Sequence, residues 1–221
     1  MTVATRLRPP QVDIKQVNAE TFNALINLAG RQRMLSQRII LNAILAAQGH
    51  EAAIDVARQA LSLFEASHQD LVIGNQKLPG IFFDALEDIY HGSTQADKKI
   101  RAFIHEAHQV IENISVTKGT FAVEALGREA TPLVNLLNQV TTVYETEAKR
   151  HAQVQQKQYK DLMGNIQQIA KHARIVSVNA QIMAARAGEA GKEFSVVAGV
   201  LSGITEEIDK LIVSAMASSP H

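Results

Sequence analysis

The chain has 221 residues, of which 46% are hydrophobic, so it is long enough to form one or two domains with a packed core. Its 22 basic and 22 acidic residues balance, which argues against non-specific binding to nucleic acid or to anionic membranes. Cysteine is absent, which excludes a disulfide framework, a thiolate metal site and a cysteine nucleophile.

The beginning of the chain lacks the apolar core of a signal peptide, and no stretch approaches the ~18 continuous apolar residues of a membrane span. We therefore expect a soluble, cytoplasmic protein with no membrane span. Residues 1–16 include Pro9 and Pro10 and are expected to form an extended lead-in.

The next part of the chain has the apolar period of amphipathic helices. Four long helices joined by short links predict an antiparallel four-helix bundle over residues 17–145, with a short extra helix beside it. The predicted segments are residues 18–47, 51–75, 81–90, 95–114 and a fourth long helix that starts near Phe121 or near Thr131.

Residues 145–161 are polar but contain neither proline nor glycine, so we expect one helix to continue from the bundle into residues 146–221. Beyond this point apolar residues repeat in heptads, which predicts an antiparallel helical hairpin with a coiled-coil seam whose tip lies between Gly188 and Gly191. The positions assigned to the seam of the first arm are Tyr159, Ile166, Ala173, Ala180 and Ala187 on one line, and Leu162, Ile169, Val176 and Met183 on the other. The fold class is therefore all-α.

The middle of the first helix contains an unusual apolar face, with Gly30 and Arg33 at its centre. Glycine costs about 1 kcal/mol relative to alanine inside a helix, but it allows another backbone to approach closely. Arg33 cannot lose its charge, so burying it requires an anionic partner. That partner is either a carboxylate on a neighbouring helix or a small planar anion shared by two copies of Arg33 at a dimer axis.

The segment AGRQRMLSQR, residues 29–38, closely resembles the signature of the N-terminal sensor domain of type IV pilus methyl-accepting transducers, the PilJ family. It is also similar to the nitrate-sensing box of NarX-type histidine kinases. The resemblance implies a four-helix bundle that dimerises through its first helix and holds nitrate or nitrite on the dimer axis against Gly30 and Arg33. Arg31 and Arg38 either help to orient this anion or form salt bridges within the bundle, and Met34 is assigned to the core.

The segment NAQIMAARAGEAGKEFSVVAGV, residues 179–200, looks like the signalling tip of bacterial chemoreceptors. The resemblance implies contacts with the kinase CheA, the adaptor CheW or other chemoreceptors. The chain departs from the family pattern at Met183, Glu193 and Val200, which puts ordinary kinase coupling in question. The residues expected to form the signalling tip are Asn179, Arg186, Glu189, Gly191, Phe194 and Val196.

The remaining groups of polar residues are weak evidence for a metal or catalytic site. His105 and His108 share a helix face in the manner of metal ligands, but surface polar residues explain them equally well. No catalytic arrangement or phosphate-binding loop stands out, so we expect neither an enzyme nor a cofactor or metal site. The sequence predicts a sensory homodimer that responds to a small oxyanion; the alternative is a ligand-free scaffold that associates with chemoreceptor arrays.

Overall fold

The structure is a computed structural model that describes residues 17–117 and 120–217, without the side chains of residues 115–122. All regular structure in these ranges is helical, which confirms the predicted all-α class. The expected lead-in over residues 1–16 lies outside the described residues. The helices are α1 (Ala19–Ala47), α2 (Ala52–Val72), α3 (Asp84–His91), α4 (Ala96–Thr117), α5 (Thr120–Arg128), α6 (Ala130–Arg186) and α7 (Lys192–Ala217), with a 3-10 turn at Gly188–Gly191 before α7.

Helix α1 begins and ends where its sequence predicts. The Asn18 Oδ1 atom accepts hydrogen bonds from the backbone N–H and the hydroxyl of Thr21, at 2.8 and 2.9 Å, and so satisfies an N–H of the first turn. At the other end, Gly49 has a φ of 97°, a left-handed conformation that suits glycine and prevents the helix from continuing.

Helix α6 has 57 residues and confirms that one helix continues through the polar stretch at residues 145–161. The sequence left two starting points open for the fourth long helix. The structure contains a helix at each of them: α5 begins at Thr120 and ends at Arg128, and α6 begins at Ala130. The chain forms two compact units that meet between Arg150 and His151, so α6 contributes to both. The domain boundary placed between residues 145 and 146 stays a prediction.

The first unit has a continuous apolar core built from α1 to α5 and the beginning of α6. The rings of Phe64 and Phe103 join α2 to α4 edge to face, with centroids 5.6 Å apart. Each fully buried leucine, isoleucine or phenylalanine in such a core stabilises the fold by roughly 1.5–3 kcal/mol. The largest fully buried apolar side chains include Phe22, Leu25, Leu35, Ile39, Leu61, Leu71, Leu86, Ile100 and Ile111.

The second unit is a helical hairpin whose arms meet through small residues. The Ser177 hydroxyl donates to the carbonyl oxygen of Ala198 at 2.5 Å. A Cβ atom at Gly191 would overlap the carbonyl oxygen of Ala184, so only glycine fits there. We call the buried heptad positions the small-residue seam: Ala170, Ser177, Ala184, Gly191, Ala198, Thr205 and Ile212.

The seam predicted from the heptads is wrong, because the buried positions of the first arm, Ala170, Ser177 and Ala184, belong to neither of the two predicted lines. The predicted line that runs from Tyr159 to Ala187 is only partly buried, and Ala187 itself is exposed. One of the two predicted lines, which we call the apolar stripe, points away from the second arm and stays exposed. The physical reason is that each arm of a two-helix hairpin buries only the line that faces the other arm, and small residues allow the closest approach. The exposed fractions in the apolar stripe are 53% for Leu162, 67% for Ile169, 60% for Val176 and 68% for Met183.

Candidate functional site

Arg33 lies at the junction of α1 and α6. Its Nη1 atom donates to the Oδ1 atom of Asn138 at 2.8 Å. Its guanidinium also lies over Gly30, because a Cβ atom at that glycine would be 3.4 Å from Arg33 Nη2, at van der Waals contact. The structure therefore brings the two residues of the predicted anion site together and adds a third residue, Asn138, that the sequence did not indicate.

The charge of Arg33 is not neutralised within the chain. In residues 17–117 and 120–217, no carboxylate lies within ion-pair distance of its guanidinium, and the side chain is half-buried. The neighbouring Asn138 is neutral, so it satisfies one N–H without balancing the charge. The carboxylate partner that the sequence left open on a neighbouring helix is not found in the described structure.

Arg31 and Arg38 flank this position and are exposed. Neither forms an ion pair with any described residue, so the expected salt bridges within the bundle are not found there either. Met34 and Leu41 are each 57% exposed beside them, so the assignment of Met34 to the core is wrong. By helical spacing, Met34 and Leu41 lie between Arg33 on one side of the helix and Arg31 and Arg38 on the other.

Two buried polar residues lie beneath the same turns of α1. The Ser36 hydroxyl donates to the carbonyl oxygen of Arg33 at 2.8 Å. Gln32 is fully buried, and neither its Nε2 nor its Oε1 atom has a hydrogen-bond partner among the described residues. An unpaired buried amide costs about 1–3 kcal/mol, so this part of α1 is not optimised for stability.

A second polar cluster joins α2, α3 and α4. His68 is almost fully buried, and its Nε2 atom lies 2.8 Å from Asp97 Oδ1, an oxygen that also accepts from Arg101 Nε at 2.8 Å. Burial lowers the pKa of His68, and the hydrogen bond and negative charge of Asp97 oppose this effect. Burial also raises the pKa values of the Tyr90 and Tyr144 hydroxyls. No motif or periodicity in the sequence indicated this cluster.

The histidines with metal-like spacing make ordinary surface contacts. His108 Nε2 lies 3.3 Å from Glu65 Oε2 on α2, and His105 Nε2 lies 3.1 Å from Gln109 Nε2 one turn further along α4. Within the described parts of the chain, no three metal-ligating side chains converge.

The predicted signalling residues lie at the closed end of the hairpin. Gly188 has a φ of 58° and starts the 3-10 turn, and the ammonium of Lys192 lies 2.6 Å from a carboxylate oxygen of Glu189. Phe194 is 62% exposed and Val196 is 67% exposed. Of the six predicted residues only Gly191 is buried, and Asn179, Arg186, Glu189, Phe194 and Val196 are exposed, as are the departures Met183, Glu193 and Val200.

A helical bundle with an unneutralised arginine, joined by one helix to a hairpin with an exposed tip, is an arrangement suited to sensing and transmission. Comparison with known proteins agrees with this class. Residues 18–116 match the family model of the type IV pili methyl-accepting chemotaxis transducer N-terminal domain. Residues 126–216 match that of the methyl-accepting chemotaxis protein (MCP) signalling domain. Together these matches support chemoreceptor-like signal transduction.

A curated relative is the methyl-accepting chemotaxis protein McpS of Pseudomonas putida, which is 40% identical over 76 residues. The matching segment covers 31% of this chain and only 12% of the relative. No solved structure matches the chain. None of the helices in the described residues is long and apolar enough to cross a membrane. No match concerns the nitrate-sensing box, so that resemblance stays a prediction.

Proposed function

We propose that this chain is a non-enzymatic, chemoreceptor-like transducer that senses a small oxyanion, nitrate or nitrite, as a homodimer. The anion lies between the two copies of Arg33 and beside Gly30, with Arg31 and Arg38 adding positive charge around it. The hairpin tip transmits the response by binding CheA, CheW or other chemoreceptors. The cytoplasmic location expected from the sequence is part of this proposal.

The observation that carries the proposal is the unneutralised, half-buried guanidinium of Arg33. Two such groups facing each other repel, and a planar oxyanion between them relieves that repulsion through charge-assisted hydrogen bonds. The absence of a side chain at Gly30 keeps the space beside Arg33 Nη2 open. Since no carboxylate of the protomer balances the charge of Arg33, we infer that an anion shared with a second copy of the chain does so.

The exposed apolar stripe of the hairpin supports the homodimer. Ile169 and Met183 are about two-thirds exposed on one face of α6, and contiguous apolar surface of this kind marks an interaction site. Heptad spacing makes the stripe suitable for packing against the helices of a second hairpin. A parallel dimer of hairpins would bury the stripe.

Helix α6 supports transmission, because it holds Asn138 in the first unit and the first arm of the hairpin in the second unit. An anion shifts a conformational equilibrium only if it binds one arrangement of α1 and α6 more tightly than another. Moving such an equilibrium from 1:99 to 99:1 requires about a 10⁴-fold difference in affinity.

Thermal unfolding of the purified dimer with sodium nitrate, and with sodium chloride at equal ionic strength, tests the proposal. Ligand at 100 times its dissociation constant adds roughly 2.7 kcal/mol to the free energy of unfolding. For a chain of this length that raises Tm by about 5–11 °C. We expect a nitrate-specific rise that Arg33→Ala abolishes and that Arg58→Ala, an exposed arginine on α2, leaves unchanged. An equal rise in Arg33→Ala contradicts the anion site.

A ligand-free scaffold is the second candidate, and the exposed Phe194 and Val196 at the tip favour it. Such a module joins or caps receptor arrays through its hairpin without binding an anion. Co-sedimentation with CheA and CheW, together with the absence of any response to nitrate or nitrite, would select this function over sensing.

A further inference from the structure

We propose that Asn138 forms the α6 half of the anion site and donates a hydrogen bond to the anion. This inference rests on the proposed function and adds a residue on a second helix to the site. Asn138 is far from Arg33 in sequence, by 105 residues, but the two side chains are hydrogen-bonded at 2.8 Å. The bond joins the helix that carries the resemblance to the nitrate box with the helix that continues into the hairpin.

The orientation of the Asn138 amide follows from the chemistry of its partner. A guanidinium only donates hydrogen bonds, so the amide must present its oxygen to Arg33. The Nδ2 atom and its two N–H groups therefore point away from Arg33 Nη1. Among the described residues no acceptor for Nδ2 is found, while the backbone carbonyl of Asn138 accepts from the Thr142 hydroxyl at 2.9 Å. The side chain thus offers free donors beside an unneutralised cation.

These donors fit a small planar monoanion. A nitrate oxygen accepts from the guanidinium, and a second oxygen accepts from the neutral amide without adding further positive charge. Asn138 therefore contributes hydrogen-bond donors to the site without changing its net charge.

The variant Asn138→Asp separates this role from a structural one. The carboxylate has nearly the same size, keeps an acceptor for Arg33 and forms an ion pair with it. It also neutralises the guanidinium and removes both amide donors. We expect the Tm without nitrate to be retained or raised, while the affinity for nitrate falls by about tenfold or more.

Asn135→Asp is the matched control. Asn135 lies on the same helix but lines a groove of about 550 Å³ between α4 and α6, with Phe103 and Leu136 among its walls. It receives the same charge change one turn away from Asn138 and loses no donor of the anion site, so we expect a smaller loss of nitrate affinity than in Asn138→Asp. Asn138→Gln, which keeps both an acceptor and donors, should retain more affinity than Asn138→Asp.

Calorimetric titration of sodium nitrate into the wild type and the three variants measures these affinities. Wild-type affinity in Asn138→Asp would overturn the inference and leave the proposed function standing. An equal loss in Asn135→Asp would also overturn it, because the effect would then be a general one of negative charge on α6. A wild type that binds neither nitrate nor nitrite would overturn the inference and the proposed function together.

Discussion

His68 Nε2 lies 2.8 Å from Asp97 Oδ1, and this partly buried pair connects α2 to α4 inside the first unit. Asp97 accepts a second hydrogen bond from Arg101, and the ring of Tyr90 on α3 lies 6.1 Å from the His68 ring, measured between centroids. Three helices therefore meet at one titratable side chain. Its protonation state affects the stability of the whole unit, since His68 is 1% exposed.

The first prediction concerns pH. Burial lowers the pKa of His68 below its ordinary value of 6.5, so the unfolded chain takes up a proton before the folded chain does. The stabilising contribution is complete above pH 6.5 and is lost as the pH falls from there through the lower pKa of the folded state. Thermal unfolding from about pH 7.5 to about pH 5 should show this decline in Tm.

His68→Gln, which keeps a donor for Asp97 but does not titrate, should show a smaller decline over the same range. His105→Gln changes an exposed histidine on α4 and serves as the control. If His68→Gln and the wild type lose stability in parallel, His68 is not the responsible group.

A second prediction tests the small-residue seam of the hairpin. Gly191→Ala places a methyl group into the carbonyl oxygen of Ala184, which forces the arms apart. Overpacking of this kind costs typically about 1–3 kcal/mol. Gly203→Ala on α7 meets no atom within 4 Å and should stabilise the helix by roughly 0.5–1 kcal/mol. Denaturant unfolding followed by circular dichroism measures both changes, and opposite signs are expected.

A third prediction concerns the apolar stripe. Ile169→Lys combined with Val176→Lys puts two charges where the dimer is expected to bury apolar side chains. Each lost burial costs about 1.5–3 kcal/mol in each copy, so the dimer dissociation constant should rise more than about a hundredfold. Sedimentation equilibrium measures the constant, and Gln167→Lys combined with Gln168→Lys supplies the same charge on exposed polar positions. Equal dimerisation of the two double variants would show that the stripe is not the interface.

A fourth prediction separates stability from sensing at Gly30. Alanine is the better helix former by about 1 kcal/mol, and its methyl group would meet Arg33 Nη2 at 3.4 Å, an ordinary contact distance. Gly30→Ala should therefore raise Tm in the absence of ligand. The same methyl group occupies space beside the guanidinium, so the rise in Tm on adding nitrate should shrink. A larger nitrate response in Gly30→Ala would argue against close approach at this position.

The fold was predictable from the sequence where it depends on interactions between residues a few positions apart. Asn18 and Gly49 bound α1 through a side-chain cap and a left-handed φ, and both signals are visible in the sequence. The length of α6 also followed from the absence of helix breakers between residues 145 and 161. A heptad pattern, in contrast, shows which residues need burial but not what buries them. Ile169 and Ala170 are adjacent in the sequence, yet only the alanine faces the second arm.

The site was predictable on one helix only. Gly30 and Arg33 share a face of α1, so helical spacing brings them together. Asn138 and Asp97 reach their partners across tertiary contacts, 105 and 29 residues away in the sequence, and no periodicity encodes these distances. Asn138 lies next to Gln139 and three residues after Asn135, so the sequence alone does not single it out.

Because of the small-residue seam, the stability of the hairpin should depend on the concentration of the protein. Alanine, serine and glycine bring the arms of the hairpin close together but remove little apolar surface from water. On the proposed dimer, most of the free energy that orders the hairpin is gained only when a second copy arrives, so its stability depends on protomer concentration. If the proposed dimer forms, protein below the dissociation constant exposes the stripe to proteases and chaperones, so the fraction of ordered hairpin should rise with expression level.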